Sequence, residues 1–255
     1  MTRYPCVPGH ELAGVVTRVG KNVTKVKVGD KVGVGCMVDS CRACKYCDAG
    51  EEQLCGTHVQ TYNGDPKFGN CLTEAGHTHG GYSAHHTVPE SFIVKIPADY
   101  PLEAAGPVFC AGITMFTPLH RYGADKGGMQ VGIVGIGGLG QMGVRIAKAM
   151  GNTVTAISTS PNKKAAAMEI GADNFVVSTD PNSINTAAGT LDLILNTVSA
   201  DHDINTYLPL LAPKGVCVQI GATMKPHSVN QVQLLFKSLS ISGSLIGGMP
   251  DTQVG

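Results

Sequence analysis

Apolar and polar positions alternate from Gly14 to Val34, with valines spaced by polar residues and breaks at Gly20-Lys21-Asn22 and Val28-Gly29-Asp30. This rhythm predicts short antiparallel strands joined by tight turns. Periodicity fades between Cys36 and Cys55 and returns as alternation over residues 81–97. Near Pro101 the pattern changes: Leu102 to Gly106 and Ile113 to Tyr122 have helical spacing, and a strand, a glycine-rich turn and a helix follow from Met129 to Met150. Strand-like runs then recur at Thr153–Ser158, Asn174–Val177, Leu191–Val198, Val216–Ile220 and Leu239–Ser244. Helix-sized segments separate them, the pattern of a parallel βαβ sheet. The expected organisation is α/β: a β-rich domain over 1–100 carrying a cysteine-dense lobe at 36–56, then a βαβ domain with a parallel sheet over 101–255.

A chain of 255 residues, 43% hydrophobic, buries a sizeable core. Nineteen Lys plus Arg balance nineteen Asp plus Glu, so bulk charge draws the chain to no polyanion, and small ligands are favoured over nucleic acid. No stretch is apolar for long enough to cross a bilayer, and a cytoplasmic location is expected. In that compartment nine cysteines point to metal rather than disulfides wherever they cluster.

They cluster once. Cys41, Cys44, Cys47 and Cys55 form C-x-x-C-x-x-C with a fourth cysteine after seven intervening residues. Four thiolates close a tetrahedral shell around Zn²⁺, which leaves no open position and so supports folding rather than chemistry. An iron–sulfur cluster and a nucleic-acid-contacting zinc ribbon use similar cysteines, but the last spacing is not that of a bacterial-type cluster and the lobe is not basic.

Two further sites are legible. His10, Glu11 and Cys110 offer imidazole, carboxylate and thiolate, a donor set suited to catalytic zinc with an open position. Singly, each has an ordinary structural explanation as a surface or core residue. Val131 to Val134 reads as a buried strand, Gly135-Ile136-Gly137-Gly138-Leu139-Gly140 as a phosphate-binding turn, and Gln141 to Met150 as the helix whose N-terminus faces the pyrophosphate. The next strand ends in Ser158 where an NAD site places an acid. Ser158-Thr159-Ser160-Pro161-Asn162-Lys163-Lys164 offers hydroxyls and cations instead, which suits a 2′-phosphate. Ser160 followed by Pro161 also reads as a helix N-cap.

Pro8-Gly9-His10-Glu11, the four-cysteine lobe, Gly80-Gly81-Tyr82-Ser83, Cys110-Ala111-Gly112-Ile113-Thr114 and the glycine-rich turn occur in one order along the whole chain. In that order the chain resembles the cinnamyl alcohol dehydrogenase group of zinc-dependent medium-chain alcohol dehydrogenases. The resemblance implies a GroES-like catalytic domain, incomplete here, followed by a Rossmann doubly wound parallel sheet. It implies catalytic zinc on His10 and Cys110 with Glu11 able to enter the shell, and structural zinc on Cys41, Cys44, Cys47 and Cys55. NADP is the implied cofactor, held by the turn, by Ser158, Thr159, Ser160 and Lys163, and by Thr114, Thr197, Gly221, Ser244, Leu245 and Ile246. The family also forms homodimers through the last strands of its nucleotide domain, here Leu239 to Ile246.

The chain departs from that pattern as well. The family supplies a first catalytic-zinc ligand and a proton-relay hydroxyl from a Cys-His-Ser/Thr-Asp segment several dozen residues before Gly-His-Glu, whereas this chain begins eight residues before Gly9 and stops before the family's closing segment. Cys6 lies too close to His10 to be taken as a substitute. Lignin-specific members carry a Trp before Thr-Tyr-Asn, where this chain has Gln60-Thr61-Tyr62-Asn63 and no tryptophan anywhere. The expected activity is broad interconversion of aldehydes and primary alcohols with NADP(H). The competing expectation is a catalytically incomplete chain that binds NADP and structural zinc without turnover.

Overall fold

The computed structural model describes residues 2–65 and 76–254. The chain divides into two compact units, Met1–Ile113 with Ile246–Gly255, and Thr114–Leu245. The expected boundary at 100/101 therefore falls inside the first unit, to which residues 246–255 also return.

In the first unit β1 (Leu12–Val15) pairs antiparallel with β2 (Lys31–Val34), Leu12 opposite Val34. Further on, β3 (Met37–Asp39) and α1 (Lys45–Asp48) precede β4 (Val59–Gln60), which pairs with β3. Last comes β5 (Val94–Lys95), which completes a three-stranded sheet in the order β1-β2-β5. The strands are shorter than the alternation implied. Beyond β1 the ladder goes one step, through Val16 N–H to the Asp30 carbonyl, because Val19 and Val28 remain exposed with no face to bury. Over 81–97 only β5 is strand, since the amides of Gly80 and Tyr82 are spent on the carbonyls of Val7 and Pro8, and Glu90–Phe92 forms a 3₁₀ turn.

Two short helices follow, α2 (Leu102–Ala105) and α3 (Ala111–Arg121). Val94, Ile96, Ala105 and Phe109 make a core with Leu102 of α2 and Met249 of the last helix, Met249–Val254, packed against it, whereas Met115 and Leu119 of α3 belong to the core of the second unit, which begins at Thr114. That helix is fastened to the sheet edge: the Gln253 side chain accepts from the Lys95 amide at 3.0 Å and donates to the Lys95 carbonyl at 3.2 Å. A Cβ on Gly33 would overlap the Phe109 ring, and one on Gly35 would overlap the Phe109 carbonyl. The end of β2 thus lies against the turn that presents Cys110.

The second unit contains β6 (Gln130–Val134), α4 (Gly138–Ala149), β7 (Thr153–Ser158), α5 (Lys164–Glu169), β8 (Asn174–Val177) and α6 (Pro181–Thr186). It continues with β9 (Leu191–Asn196), β10 (Leu211–Gln219), α7 (Gln231–Lys237) and β11 (Ser240–Gly243). The six strands are parallel in the order β11-β10-β9-β6-β7-β8, the doubly wound arrangement expected. Alternate residues feed two cores: Val131, Ile133, Leu193 and Leu195 join one, Val134, Ile157 and Ile194 the other. The order reverses between β6 and β9, the switch point beyond whose carboxyl ends such sheets bind ligands.

Gly33→Ala is expected to cost about 1–3 kcal/mol by overpacking, read from urea unfolding. In a Phe109→Ala background the same change should cost far less. An equal cost in both backgrounds would show that the ring is not what the glycine accommodates.

Candidate metal centres and nucleotide site

The cysteine lobe is shaped by local bonding. Arg42, in a left-handed conformation at φ 57°, turns back to pair with the buried Asp39 at 2.7 Å, while the Ser40 amide donates to the same carboxylate oxygen at 2.8 Å. The turn and α1 bring Cys41, Cys44, Cys47 and Cys55 together, their sulfurs all within 4.8 Å of one another. Cys44 and Cys47 stand 3.6 Å apart and Cys41 and Cys47 3.9 Å. Burial raises the Cys55 thiol, but hydrogen bonds with Thr57 and Cys41 outweigh it and bring the pKa down to about 6. Burial pushes Cys47 up to about 11. Sulfurs this close, with no disulfide among them, fit a single tetrahedral ion.

A second group lies in the same unit. His10 Nε2 and Cys110 Sγ are 3.2 Å apart, and the sulfur of Cys36 completes a triad whose ligand atoms lie within 4.8 Å of one another. The sequence reading passed Cys36 over. Glu11, expected beside His10, is exposed and outside this group, although its charge acts on both thiols. The His10 ring stacks on Tyr62, with centroids 5.9 Å apart and planes 14° from parallel. A hydrogen bond with Cys36 lowers the Cys110 thiol to about 6 against its burial, and His10 adds to the effect. The same bond, together with burial, pushes Cys36 up. One nitrogen and two sulfurs converging at this range fit zinc with a fourth position open.

In the second unit the glycine-rich turn bridges β6 and α4. Gly135 adopts φ 87°, and a Cβ there would crowd Thr197 Oγ1. Thr197, expected as a cofactor contact, staples this turn by donating to the Val134 carbonyl at 2.8 Å. A Cβ on Gly140 would overlap the Gly135 carbonyl oxygen, so this glycine permits the close packing of helix on strand. Beside Gly137 and Gly138 the space is open. No side chain caps α4, and its first turn carries no acid, leaving the amides after Gly137 free for an anion.

The segment after β7 lies beside this turn: Lys163 Nζ donates to the Ile136 carbonyl at 3.0 Å. Ser158 is buried and its Oγ accepts from the Ser160 amide at 3.2 Å. Ser160 occupies the N-cap position before Pro161, but its side chain makes no capping bond. Thr159 meets Thr179 through its carbonyl. Thr114 is buried near the start of α3. A Cβ on Gly221 would overlap the Val198 carbonyl, so Gly221 packs backbone on backbone at the end of β10. Ser244 bonds back to Gln219 through its amide, and Leu245 is exposed. Ile246 belongs to the first unit, where it lines a recess with Cys36, Phe109 and Met249.

A doubly wound nucleotide domain and a β-rich unit carrying two zinc-type donor groups define a zinc-binding dehydrogenase. Residues 1–98 match the alcohol dehydrogenase GroES-like domain and residues 138–254 the zinc-binding dehydrogenase family. Cinnamyl alcohol dehydrogenase 8 of Arabidopsis thaliana is 49% identical over 254 residues, 99% of this chain and 69% of that protein. NADP-dependent alcohol dehydrogenase C 1 of Mycolicibacterium smegmatis is 48% identical over 252 residues, 98% of this chain and 70% of that protein. The structure of a cinnamyl alcohol dehydrogenase from Sorghum bicolor superposes with a TM-score of 0.93 at 44% identity, covering 99% of this chain and 70% of that one. The chain belongs to the zinc-binding alcohol dehydrogenases and is similar to their cinnamyl alcohol dehydrogenase branch.

Gly140→Ala is expected to lower stability by about 1–3 kcal/mol in chemical denaturation, whereas Gly137→Ala should stay within about 0.5 kcal/mol and weaken nucleotide binding instead. The reverse ranking would mean that the two glycines have exchanged roles.

Proposed function

We propose that this chain carries an NADP(H)-linked, zinc-dependent reduction of aldehydes to primary alcohols, with broad acceptance of aromatic and aliphatic substrates. The observation that carries the cofactor choice is the end of β7. Ser158, Thr159 and Ser160 stand where an acid would otherwise meet the ribose, and Lys163 is bonded to the glycine turn itself. A 2′-phosphate is an anion that Asp would repel and a lysine ammonium attracts. The relative from Mycolicibacterium smegmatis is named as NADP-dependent, which supports the same choice.

When bound, zinc supplies Lewis-acid polarisation of the carbonyl oxygen and NADPH supplies the hydride. His10 and Cys110 are the residues we assign to hold that metal, and Cys41, Cys44, Cys47 and Cys55 a structural one. The free amides after Gly137 bind the pyrophosphate, Gly135 and Gly140 hold the turn in shape, and Thr197 fastens it to β6. Substrate breadth is supported by the absence of tryptophan: Thr61 is buried, and Tyr62 offers its ring to His10 rather than forming part of a bulky wall. We also assign homodimer formation to the β11 edge, which has no strand beyond it among the described residues.

The test is NADPH oxidation by the purified chain with an aromatic aldehyde, run beside fluorescence titrations of NADPH and NADH. Turnover that chelation abolishes is expected; NADPH binding with a full zinc complement but no turnover would sink the catalytic reading. Lys163→Ala is expected to weaken NADPH binding by about 10- to 100-fold, the value of a charge-assisted hydrogen bond, and to leave NADH binding nearly unchanged. An equal loss for both nucleotides would mean that Lys163 acts only by bracing the Ile136 carbonyl.

A further inference from the structure

We infer that His202 is a positioning residue of the nucleotide site: through Asn196 it holds the Thr197–Val198 segment against the glycine-rich turn. The inference rests on the reading of the second unit as a dinucleotide domain, and it gives a role to a side chain that no motif marks.

Asn196 is the last residue of β9, only 1% exposed, and stands opposite Val134 of β6 and Gln219 of β10. It therefore lies at the carboxyl ends of the strands beside the switch point. A buried amide needs its hydrogen-bonding capacity met, and here each of its atoms has a partner. Its Nδ2 donates to Gln219 Oε1 at 2.9 Å and to His202 Nε2 at 2.7 Å, while its Oδ1 accepts from the Val198 amide at 3.2 Å. Turned over, the side chain would set its amino group against the Val198 N–H, donor against donor.

The histidine is fixed from its other nitrogen. Nδ1 lies 2.8 Å from the Ala200 carbonyl, which can only accept, so the ring hydrogen is on Nδ1 and Nε2 is left to accept from Asn196. The ring packs edge-on against His227, with centroids 4.9 Å apart, and tilted against Tyr207 at 5.9 Å. Asp201, its neighbour in sequence, pairs with Lys225 at 2.6 Å and joins the loop after β9 to the loop after β10.

What this network holds is the flank of the turn. Thr197 donates to the Val134 carbonyl from its amide at 3.0 Å and from its hydroxyl at 2.8 Å. A Cβ on Gly135 would crowd Thr197 Oγ1 and the Val198 side chain, and one on Gly221 would overlap the Val198 carbonyl. Thr197–Val198 is thus wedged between the glycine turn and the residues after β10, with its Val198 amide tied to Asn196. Without an acceptor at His202 Nε2, a buried Asn196 N–H is left unpaired, and the amide can pair it only by turning and releasing Val198.

The experiment measures NADPH and NADH binding to the 255-residue chain by fluorescence titration, and exchange of the Val198 amide by NMR. His202→Leu is expected to weaken both nucleotides alike, by about 3- to 10-fold, the value of one hydrogen bond between neutral groups, and to speed Val198 exchange. His202→Gln, whose terminal oxygen reaches the place of Nε2, should restore both properties. His202→Asn reaches only the place of Nδ1 and should not. His227→Phe keeps a ring against His202, loses only the bond to Thr223 and should change nothing. Unchanged affinity in His202→Leu, or equal affinities in the Gln and Asn variants, would overturn the role of His202.

Where His202→Leu fails to fold, the wild-type ring decides. Its ¹⁵N resonances should show hydrogen on Nδ1 and an unprotonated Nε2; hydrogen on Nε2 alone would overturn the proposal. Failure of the broader reading looks different: a wild-type chain that binds neither nucleotide would overturn the dinucleotide site itself, and this role with it.

Discussion

Close approach of backbone segments, permitted where a side chain is missing, is the constraint on which both halves of this molecule depend. In the first unit Gly33 and Gly35 let the end of β2 run against Phe109. In the second, Gly140 lets α4 descend onto the Gly135 carbonyl. A methyl group at either place would push apart elements whose spacing sets the functional atoms, because packed interiors yield little to an added carbon. The first approach brings the Cys110 thiol close to that of Cys36. The second leaves a helix N-terminus open and aimed at the end of β6.

The two metal-type groups differ in how they are made. The lobe group is local: its cysteines fall within fifteen positions of sequence, and a turn held by Asp39, Ser40 and Arg42 folds them into range. Four sulfurs leave no room for substrate, so an ion there stabilises a segment that has little apolar core of its own. The other group is assembled from the approach to β1, the end of β2 and the start of α3. It depends on the sheet and its core, and it brings three donors together where the lobe brings four. Two groups of metal-type donors in one unit are thus built in opposite ways, one from a local stretch and one from distant segments.

The nucleotide site shows a comparable economy. Thr197 and Gly221, which family likeness marks as cofactor contacts, do structural work visible in the fold: one fastens the glycine turn, the other allows the strand ends to pack. Lys163 touches the turn through the Ile136 carbonyl.

The sequence by itself determined whatever depends on neighbours along the chain. Alternation and helical spacing marked the second domain's strands, with Thr153–Ser158 and Asn174–Val177 matching their observed limits, because parallel strands covered on both faces read as short, near-continuous runs of β-branched and apolar residues. The cysteine spacing and the glycine-rich turn were equally legible, since each is a local device. Strand length in the first domain was not: alternation at Val19 and Val28 promised pairing that no burial supports. Nor was the place of Cys36, a cysteine just beyond a valine- and glycine-rich strand with no spacing to mark it. Only the tertiary structure set it beside His10 and Cys110, because their convergence is made by contacts between segments far apart in sequence, and such contacts leave no periodic trace.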